Sequence, residues 1–311
     1  MRCSDCEREA IVDQPYAGAH RCGPHLIRSL DDRVRAEFHR QFPRFRGGTI
    51  AVALSGGKDS SVALAQTVRY FARRPNVRVV AISVDEGVSG YRDRTLERAR
   101  ELAGRLGVDH RVVRASDAIG TTVDRATEAM PGTIPCSFCG VWRRRLLNDL
   151  AREVGAEALV LGFNLDDLAQ TILMNLARGD LDRLARMAPH RSRQPGLVPR
   201  IAPLAAIPER EVYLYAVEAG LPFDHAECPH APRAARNVYR EVVWRLEEAV
   251  PGTRHALRRT HAALLDRGLG GDEGAPGVCP GCGAPAAGGL CRSCAYLERL
   301  RTGGIGAEAG P

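Results

Sequence analysis

TIAVALSGGKDS, residues 49–60, places a short apolar run directly before a turn made of serine, glycine and one lysine. The run 49–54 is typical of a buried parallel strand, and residues 61–73 have the spacing of a helix. Gly56 and Gly57 let the backbone turn tightly and bring its N–H groups against an anion, and the start of the next helix adds a positive dipole end. We therefore expect a phosphate-binding loop rather than an ordinary Ser-Gly-Gly turn with solvated charges.

Lys58 lies inside this turn, and it is the only lysine among the 44 basic residues of the chain. Drift from Lys codons to Arg codons in a GC-rich genome accounts for the arginines but not for the one exception. A lysine carries a compact, mobile ammonium where an arginine carries a planar fork. Together with the hydroxyls of Ser55 and Ser60, it can hold a phosphate that must later leave. The spacing is not that of a Walker loop, whose glycines stand further apart.

Strand and helix patterns alternate along the middle of the chain, which indicates an α/β domain with a parallel sheet. Besides 49–54, the runs typical of buried strands are 77–84, 109–114 and 157–161. The helical patterns are 26–42, 61–73, 92–106, 141–154, 166–177, 209–219 and 233–249. Residues 194–208 carry four prolines and are expected to be irregular, and 268–277 are expected to form a linker.

The composition excludes several classes of protein. A length of 311 residues suggests roughly two domains, and 44% hydrophobic against 26% charged residues allows a buried core. No apolar run is long enough to span a bilayer, and the start, MRCSDCEREA, is not typical of a secretory signal, so we expect a cytoplasmic protein without membrane contact. The net charge of +7 fits a polyanionic partner, although over this length it indicates nucleic acid only weakly.

In the cytoplasm, ten cysteines predict metal or redox ligands rather than disulfides. Two sets near the chain ends have the paired spacing of a tetrahedral zinc site, in which each pair forms a knuckle. The N-terminal set is Cys3, Cys6, Cys22 and His25, with His20 as a competitor for the fourth position. The C-terminal set is Cys279, Cys282, Cys291 and Cys294. Both sets are expected to bind zinc as structural staples, and zinc knuckles also contact RNA in other proteins.

A third group, Cys136, Cys139 and Cys228, offers three thiols, one fewer than a structural zinc site needs. An iron–sulfur cubane held by three cysteines would keep one iron open for an extra sulfide. A redox pair that carries a persulfide on one cysteine is a second hypothesis. A zinc site completed by His225 or His230 is a third.

Charged residues follow both the strand 157–161 and the paired cysteines. Asp167 comes just after the strand, and acidic residues in that place face the ligand crevice of a parallel sheet, although it could equally be an ordinary helix cap. Arg143, Arg144 and Arg145 lie on one helix and cannot all face one way. One or two of them could contact a cluster or a phosphate.

Six segments, in order along the chain, carry a close resemblance to a known family. They are SGGKDSS (55–61), VDEGVSGYRD (84–93), CSFCGVWRR (136–144), GFNLDDLAQTILMN (162–175), IPEREVYLYA (207–216) and ECP (227–229). The chain resembles the tRNA 2-thiouridine synthetases of the archaeal and eukaryotic cytosolic type, a branch of the PP-loop ATP pyrophosphatases. The resemblance covers residues 1–300, and its specificity comes from the combination of segments.

The resemblance implies an α/β PP-loop domain with a parallel sheet, flanked by N- and C-terminal zinc-binding modules. The expected divisions are an N-terminal zinc finger (1–27), a linking helix (28–48), the PP-loop domain with the iron–sulfur site (49–250), a helix and linker (251–277), a C-terminal zinc ribbon (278–300) and a disordered tail (301–311).

The site residues follow from the same resemblance. ATP and Mg²⁺ would bind at Ala53, Ser55, Gly56, Gly57, Lys58, Asp59, Ser60, Gly162 and Asp167. Catalysis would involve Lys58, Asp59, Asp167 and Arg143. A [4Fe-4S] cluster would be held by Cys136, Cys139 and Cys228 alone.

The implied activity is formation of 2-thiouridine in tRNA, in which ATP adenylates the 2-carbonyl oxygen and sulfur then replaces it, with release of pyrophosphate and AMP. A ubiquitin-like sulfur-carrier protein would deliver the sulfur as a thiocarboxylate, and members usually act as homodimers. The target is either the wobble uridine or the T-loop ribothymidine. A PP-loop ligase of the lysidine-synthetase type needs no thiolates, and a non-enzymatic zinc adaptor for RNA needs no PP-loop, so both are less favoured.

The chain departs from the family at three positions. Phe163 stands where His is common, Leu168 where Glu is common, and Arg143 where Lys is frequent. Phe163 and Leu168 can neither titrate nor coordinate a metal, so no catalytic step is assigned to them. Arg143 can neutralise charge but cannot exchange a proton near neutral pH.

Because Lys58 is the only lysine, acylation of amines is expected to modify one side chain besides the N-terminus. Mg-ATP should protect that side chain, because phosphate would occupy its ammonium group. Mass spectrometry of the acylated protein, with and without Mg-ATP, measures the protection. Lys58→Arg should keep the fold and the charge but impair adenylation. Equal labelling in both samples, or full activity of that variant, would contradict the role of Lys58.

Overall fold

The computed structural model describes residues 1–43, 45–187, 189, 194–269 and 277–302. Its strands, numbered along the chain, are β1 Val12–Gln14, β2 Ala19–Arg21, β3 Gly48–Ala53, β4 Val77–Asp85, β5 Asp109–Arg114, β6 Ala156–Val160, β7 Arg200–Ile201, β8 Gly277–Val278 and β9 Pro285–Ala286. The α-helices are α1 Gly23–Gln41, α2 Lys58–Phe71, α3 Arg92–Arg105, α4 Ala115–Ile119, α5 Val123–Ala129, α6 Pro135–Glu153, α7 Leu165–Ala177, α8 Leu181–Ala185, α9 Glu209–Glu218, α10 Arg236–Ala249, α11 Thr253–Asp266 and α12 Arg292–Arg301. Short 3₁₀ helices cover Pro15–Ala17 and Ala231–Arg233.

The central sheet is parallel throughout, with the strand order β5-β4-β3-β6-β7. In the middle strand β3, Ile50 pairs in register with Val79 on one side and with Ala158 on the other. A strand that is covered on both faces reads as a continuous apolar run, which is the pattern of 49–54. The predicted α/β class with a parallel sheet is confirmed, and the carboxyl ends of β3, β4 and β6 lie along one edge.

Two apolar layers enclose the sheet, because successive side chains of β3 point to opposite faces. Ile50 and Val52 pack with side chains of α1, α2 and α9, which cover one face. Ala51 packs with Leu150 and Ala151 of α6, which covers the other face. The second half of α6 therefore lies against the sheet, and its first turns, with the paired cysteines, pack against α5 beyond the strands.

The segment 194–208 was predicted to be irregular, and this was wrong at Arg200 and Ile201. These two residues form β7, which pairs with Leu159 and Val160 of β6. The pairing depends on the neighbouring strand, and a two-residue strand between prolines leaves no periodic pattern in the sequence.

Small elements surround this core at both ends of the described chain. The antiparallel hairpin β1–β2 precedes α1, and the hairpin β8–β9 precedes α12. Helices α10 and α11 pack against α7 and extend the helical layer beside the carboxyl edge of the sheet. The described part of the chain contains no helix that is long and apolar enough to cross a membrane.

Two predicted features fall largely beyond the residues that the structure describes. The linker 268–277 is described only at residues 268, 269 and 277, and the tail 301–311 only at residues 301 and 302. The proposed division of the chain into finger, PP-loop domain and ribbon stays a prediction at its stated boundaries.

Candidate functional site

The turn after β3 is held by two serine hydroxyls that bond to each other and to the loop backbone. Ser60 Oγ lies 2.9 Å from Ser55 Oγ, accepts from the Ser55 N–H at 3.1 Å and donates to the Gly57 carbonyl at 2.9 Å. Gly57 is the N-cap of α2. The first N–H groups of that helix therefore face the crevice beyond β3, as an anion site requires.

Gly56 allows a close approach between this turn and the start of α3. It adopts a φ of +87°, and a Cβ there would lie 1.8 Å from the Thr95 carbonyl oxygen. Arg92 ties the two segments together by donating to the Ser55 carbonyl at 3.0 Å and to Thr95 Oγ1 at 2.9 Å. The buried Arg92 also pairs through Nε with the buried carboxylate of Glu86 at 2.8 Å. Sequence reasoning missed both residues as parts of the site, although both lie in the quoted segment VDEGVSGYRD.

Lys58 extends from the first turn of α2 to two carboxylates. Its Nζ donates to Asp59 Oδ2 at 3.0 Å and to Glu209 Oε1 at 2.7 Å. Burial lowers the pKa of Lys58, but the two carboxylates outweigh this effect, and the pKa is raised above its ordinary value. Glu209, which begins α9, was not predicted as a site residue. A phosphate that bound Lys58 would therefore have to replace carboxylate contacts.

Asp167 lines the cavity beside the PP-loop and also takes part in capping α7, although the N-cap residue itself is Asn164. It forms a capping box with Asn164 at the start of α7, and Asn164 Nδ2 also donates to Asp59 Oδ1 at 3.0 Å. Arg236 of α10 donates to Asp167 Oδ1 at 3.3 Å. Burial raises the pKa of Asp167 to about 6, Arg236 opposes this rise, and the carboxylates of Asp59 and Glu209 add to it.

Gly162 makes the contact between the loop after β6 and the PP-loop possible. A Cβ at this position would lie 2.9 Å from the backbone C and O atoms of Asp59 and from the backbone N of Ser60. These are backbone atoms at the start of a helix, which cannot rotate away as the end of a side chain can. The missing side chain therefore brings the two loops into direct contact.

The two loops border a cavity of about 300 Å³. Its apolar wall comes from the strand ends and α6, namely Ala53, Leu54, Ile82, Val84, Leu147, Leu159 and Leu161. Its polar wall is formed by Ser55, Asp59, Ser60, Ser83, Glu86, Arg92, Arg143, Arg144, Asp167 and Arg200. An apolar slot beside charged groups suits a flat base that carries phosphates, so we call this cavity the nucleotide cavity.

The positions where the chain departs from the resembled family lie in different surroundings. Phe163 lines the nucleotide cavity and is 40% exposed. Leu168 is 6% exposed and packs in a cluster with Ala202 and Ala205, away from the cavity. Neither contact provides a polar group, in agreement with the absence of a catalytic role for these two side chains.

Cys136, Cys139 and Cys228 line a second cavity of about 890 Å³, the cysteine cavity, which lies next to the first. Cys136 and Cys139 belong to the first turns of α6, and Cys228 follows α9 in the chain. Burial raises the pKa of Cys139 to about 11 and raises that of Cys136 as well. These groups are therefore thiols near neutral pH unless a cation binds them.

The donor set of this cavity fits a cluster better than a single zinc ion. Among the residues that the structure describes, no group that includes these cysteines has three metal-ligating atoms all within 4.8 Å of one another. His230 Nε2 instead lies 3.2 Å from Asp124 Oδ1, and the His225 ring packs against Phe223 with centroids 4.5 Å apart. Three thiols spread over the wall of a wide cavity suit a polynuclear cluster.

Arg143, Arg144 and Arg145 diverge around α6, as expected for consecutive helical residues. Arg143 lines both cavities, and its Nη1 lies 3.7 Å from Glu86 Oε1. Arg144 lines the nucleotide cavity but not the cysteine cavity. Arg145 donates to Ser293 Oγ at 3.0 Å and so contacts the C-terminal module.

Both terminal sets bring four ligand atoms within 4.8 Å of one another, so each could hold a metal ion. In the first set, His25 Nδ1 lies 3.3 Å from Cys3 Sγ and 3.4 Å from Cys22 Sγ. His20, the competitor, pairs with Asp13 at 2.9 Å. In the second set, Cys282 Sγ lies 3.6 Å from Cys291 Sγ. The tetrahedral pairing predicted from the spacing is compatible with this geometry.

Comparison with known proteins places these features in a family. Residues 30–247 match the family model ATP_bind_3, described as a PP-loop domain. The tRNA 2-thiolation protein NcsA of Haloferax volcanii is 37% identical over 318 residues, which cover 96% of this chain and 99% of that protein. Cytoplasmic tRNA 2-thiolation protein 1 of Bos taurus is 37% identical over 315 residues, which cover 97% and 88%.

A solved structure is similar over nearly the whole length. It is the U34-tRNA thiolase NcsA from Methanococcus maripaludis with its [4Fe-4S] cluster. It superposes with a TM-score of 0.83 at 32% sequence identity, and the match covers 96% of each chain.

Gly162→Ala is expected to separate the two loops, because its Cβ would meet the backbone of Asp59 and Ser60. We expect a loss of roughly 1–3 kcal/mol in the free energy of unfolding, as in other overpacked sites, and weaker ATP binding. Denaturant unfolding and an ATP titration measure the two effects. Gly104→Ala, where a Cβ meets no atom within 4 Å, is the matched control and should not destabilise the protein. Equal behaviour of the two variants would contradict the proposed close contact.

Asp167 is expected to make the stability of the nucleotide-free protein depend on pH. Its folded pKa of about 6 lies above its ordinary value of 3.8, so between these values the folded state binds more protons than the unfolded state. Its contribution to the free energy of unfolding should therefore be lost as pH rises through about 6. Unfolding measured across this range should lose that component in Asp167→Asn. An identical pH dependence in both proteins would contradict the raised pKa.

Proposed function

The chain belongs to the ATP_bind_3 family of PP-loop proteins, among the tRNA 2-thiolation proteins, and on this premise we propose that it is an ATP-dependent tRNA-uridine 2-sulfurtransferase. ATP bound in the nucleotide cavity adenylates the 2-carbonyl oxygen of a tRNA uridine, and pyrophosphate is released. Sulfur from the side of the cysteine cavity then replaces that oxygen with release of AMP. Adenylation is needed because oxide is a poor leaving group.

The observation that carries the proposal is that the two cavities lie side by side and share part of their wall. Arg143 lines both of them. Arg236 lines the cysteine cavity and donates to Asp167, which lines the nucleotide cavity. A uracil held between these arginines could present its oxygen to ATP and its carbon 2 to a sulfur donor. Such an arrangement gains rate from proximity and orientation.

The residues of the PP-loop bind the leaving pyrophosphate. Lys58 exchanges its contacts with Asp59 and Glu209 for phosphate oxygens, and the hydroxyls of Ser55 and Ser60 with the first N–H groups of α2 complete the anion site. Released carboxylate oxygens of Asp59 are suitable ligands for the Mg²⁺ that accompanies ATP. The charge on Lys58 is thereby balanced in both states of the site.

Arg143 and Asp167 act on either side of the adenylated oxygen. Arg143 neutralises negative charge on the α-phosphate, and its guanidinium stays protonated throughout. Asp167 is held by Asn164 and Arg236 and lines the nucleotide cavity. There it orients the uracil base or the Mg²⁺ that accompanies ATP. Activity should require its carboxylate form.

Cys136, Cys139 and Cys228 would hold a [4Fe-4S] cluster, which with three protein ligands would supply an open iron position for sulfur. A wide cavity lined by three thiols and by Arg143 supports this assignment. The two terminal sets of four ligands would hold zinc as structural staples. The sulfur source would be a ubiquitin-like carrier protein with a C-terminal thiocarboxylate.

The target uridine and the cellular location are proposed from the names of the relatives. We propose uridine 34 of tRNA as the target, because the relative from Methanococcus maripaludis is a U34-tRNA thiolase. We propose a cytoplasmic location, because the name of the bovine relative places that protein in the cytoplasm. A homodimer is proposed because the resemblance to the family implies it. T-loop ribothymidine is the alternative target, and the position of the 2-thiouridine in digested tRNA distinguishes the two.

Anaerobic purification is expected to yield a coloured protein that contains iron, sulfide and zinc. With ATP, a sulfur donor and unmodified tRNA, it should form 2-thiouridine, which mass spectrometry of the nucleosides detects. Cys228→Ser should lose iron and thiolation while it keeps zinc, because the terminal sets do not involve this residue. Ser137→Ala, an exposed change between the paired cysteines, is the matched control and should keep both.

Three results would contradict parts of this proposal. A protein that stays free of iron after cluster reconstitution would exclude the cluster but leave a persulfide on the same cysteines. Full thiolation by Cys228→Ser would exclude a cluster that depends on all three cysteines, but it would leave a persulfide on Cys136 or Cys139. Formation of AMP with an amine in place of sulfur on the tRNA product would indicate a ligase of the lysidine-synthetase type.

A further inference from the structure

Trp244 is a large apolar side chain that the described fold leaves 61% exposed. The chain has two tryptophans, and the other, Trp142, is buried in the core at 1% exposure. Helix α10, which carries Trp244, buries only Val243 among its residues. The side of this helix that faces away from α7, which includes Trp244, is therefore available to a ligand.

The position of Trp244 sets it apart from other exposed apolar residues. It lines the cysteine cavity together with Asn237, Arg240 and Glu241. Residues three and four apart share one face of a helix, so this face of α10 forms the outer wall of the cavity. Val238, which is 67% exposed on the same helix, is not among the residues that line the cavity.

The charges beside Trp244 favour an anionic ligand. The nearest acidic partner of Arg240 is Glu227 Oε1 at 3.9 Å, and both side chains are more than half exposed. Such a pair is weak and is screened by salt, so a phosphate can replace it. Glu241 is already paired with Arg245 at 2.6 Å. Arg143 and Arg236 add positive charge to the same cavity.

We propose that Trp244 stacks on an unpaired base of the substrate tRNA and that Arg240 contacts a neighbouring phosphate. This inference rests on the proposed function, because a base that undergoes chemistry must leave its stack and its neighbours are then unstacked too. An aromatic face beside an arginine is the usual arrangement for binding single-stranded nucleic acid. A second copy of the chain fits less well, because Asn237, Arg240 and Glu241 interrupt the apolar surface around Trp244.

Fluorescence of the holoprotein tests the contact without turnover. Addition of unmodified tRNA in the absence of ATP should quench the emission of Trp244, because a stacked base lies against the indole. In Trp244→Phe the remaining emission comes from the buried Trp142. It should fall only because the RNA absorbs light, so this variant measures the correction for that absorption. Equal changes in both proteins, while filter binding detects the complex, would overturn the proposal.

Affinity measurements separate stacking from a structural role. Trp244→Ala should weaken tRNA binding by between about 5-fold and about 150-fold, whereas Trp244→Phe should keep most of the affinity. Val238→Ala on the same helix is the matched control and should bind normally. The dependence of affinity on salt should be unchanged in Trp244→Ala, because an indole carries no charge. Arg240→Gln should reduce that salt slope by about one phosphate contact.

The remaining outcomes distinguish a failure of the proposed RNA contact from a failure of the proposed function. Emission that changes with protein concentration but not with tRNA would indicate a second copy on this face and overturn the proposal. Normal thiolation and normal binding by Trp244→Ala would overturn it while leaving the proposed function intact. A third result is that tRNA quenches the wild-type emission and Trp244→Ala loses affinity as predicted, but the wild-type protein forms no 2-thiouridine. This result would support the RNA surface and contradict the proposed function.

Discussion

The contact between Gly162 and the first turn of α2 is the constraint on which the rest of the site depends. The backbones of two loops, one after β3 and one after β6, meet there without any side chain between them. Because the loops touch, Asn164 can reach Asp59, and Asp167 comes to face the PP-loop. A parallel sheet makes this meeting possible, since neighbouring strands end at the same edge.

Networks of charge connect this contact to more distant elements. The buried pair of Glu86 and Arg92 ties α3 to the PP-loop, and Glu86 also lies close to Arg143 of α6. On the other side, the Glu209 N–H donates to Asp166, which pairs with Arg254 of α11. A phosphate that displaces Glu209 from Lys58 would therefore act on a residue that helps to join α7, α9 and α11.

The three positions at which the chain departs from the family lie in different surroundings. Leu168 is buried among apolar side chains, where a charged residue would need a partner that the cluster does not provide. Phe163 borders the nucleotide cavity without a polar contact and can only shape it. Arg143, in contrast, keeps the positive charge that both cavities share.

Local patterns were enough to predict the α/β class, four of the five strands of the sheet, a phosphate-binding loop after β3 and the two terminal ligand sets. Each of these depends on residues that are close in the chain, so periodicity, turn glycines and paired spacing carry the information. Glu209 and Arg236 could not be found in this way, because each meets its partner from a segment far along the chain. The same holds for β7, which is a strand only because β6 lies beside it. Tertiary packing alone determined that the three middle cysteines line one cavity beside the cavity bordered by the PP-loop, and that Trp244 forms its outer wall. These positions arise from how α6, α9 and α10 pack and not from spacing along the chain.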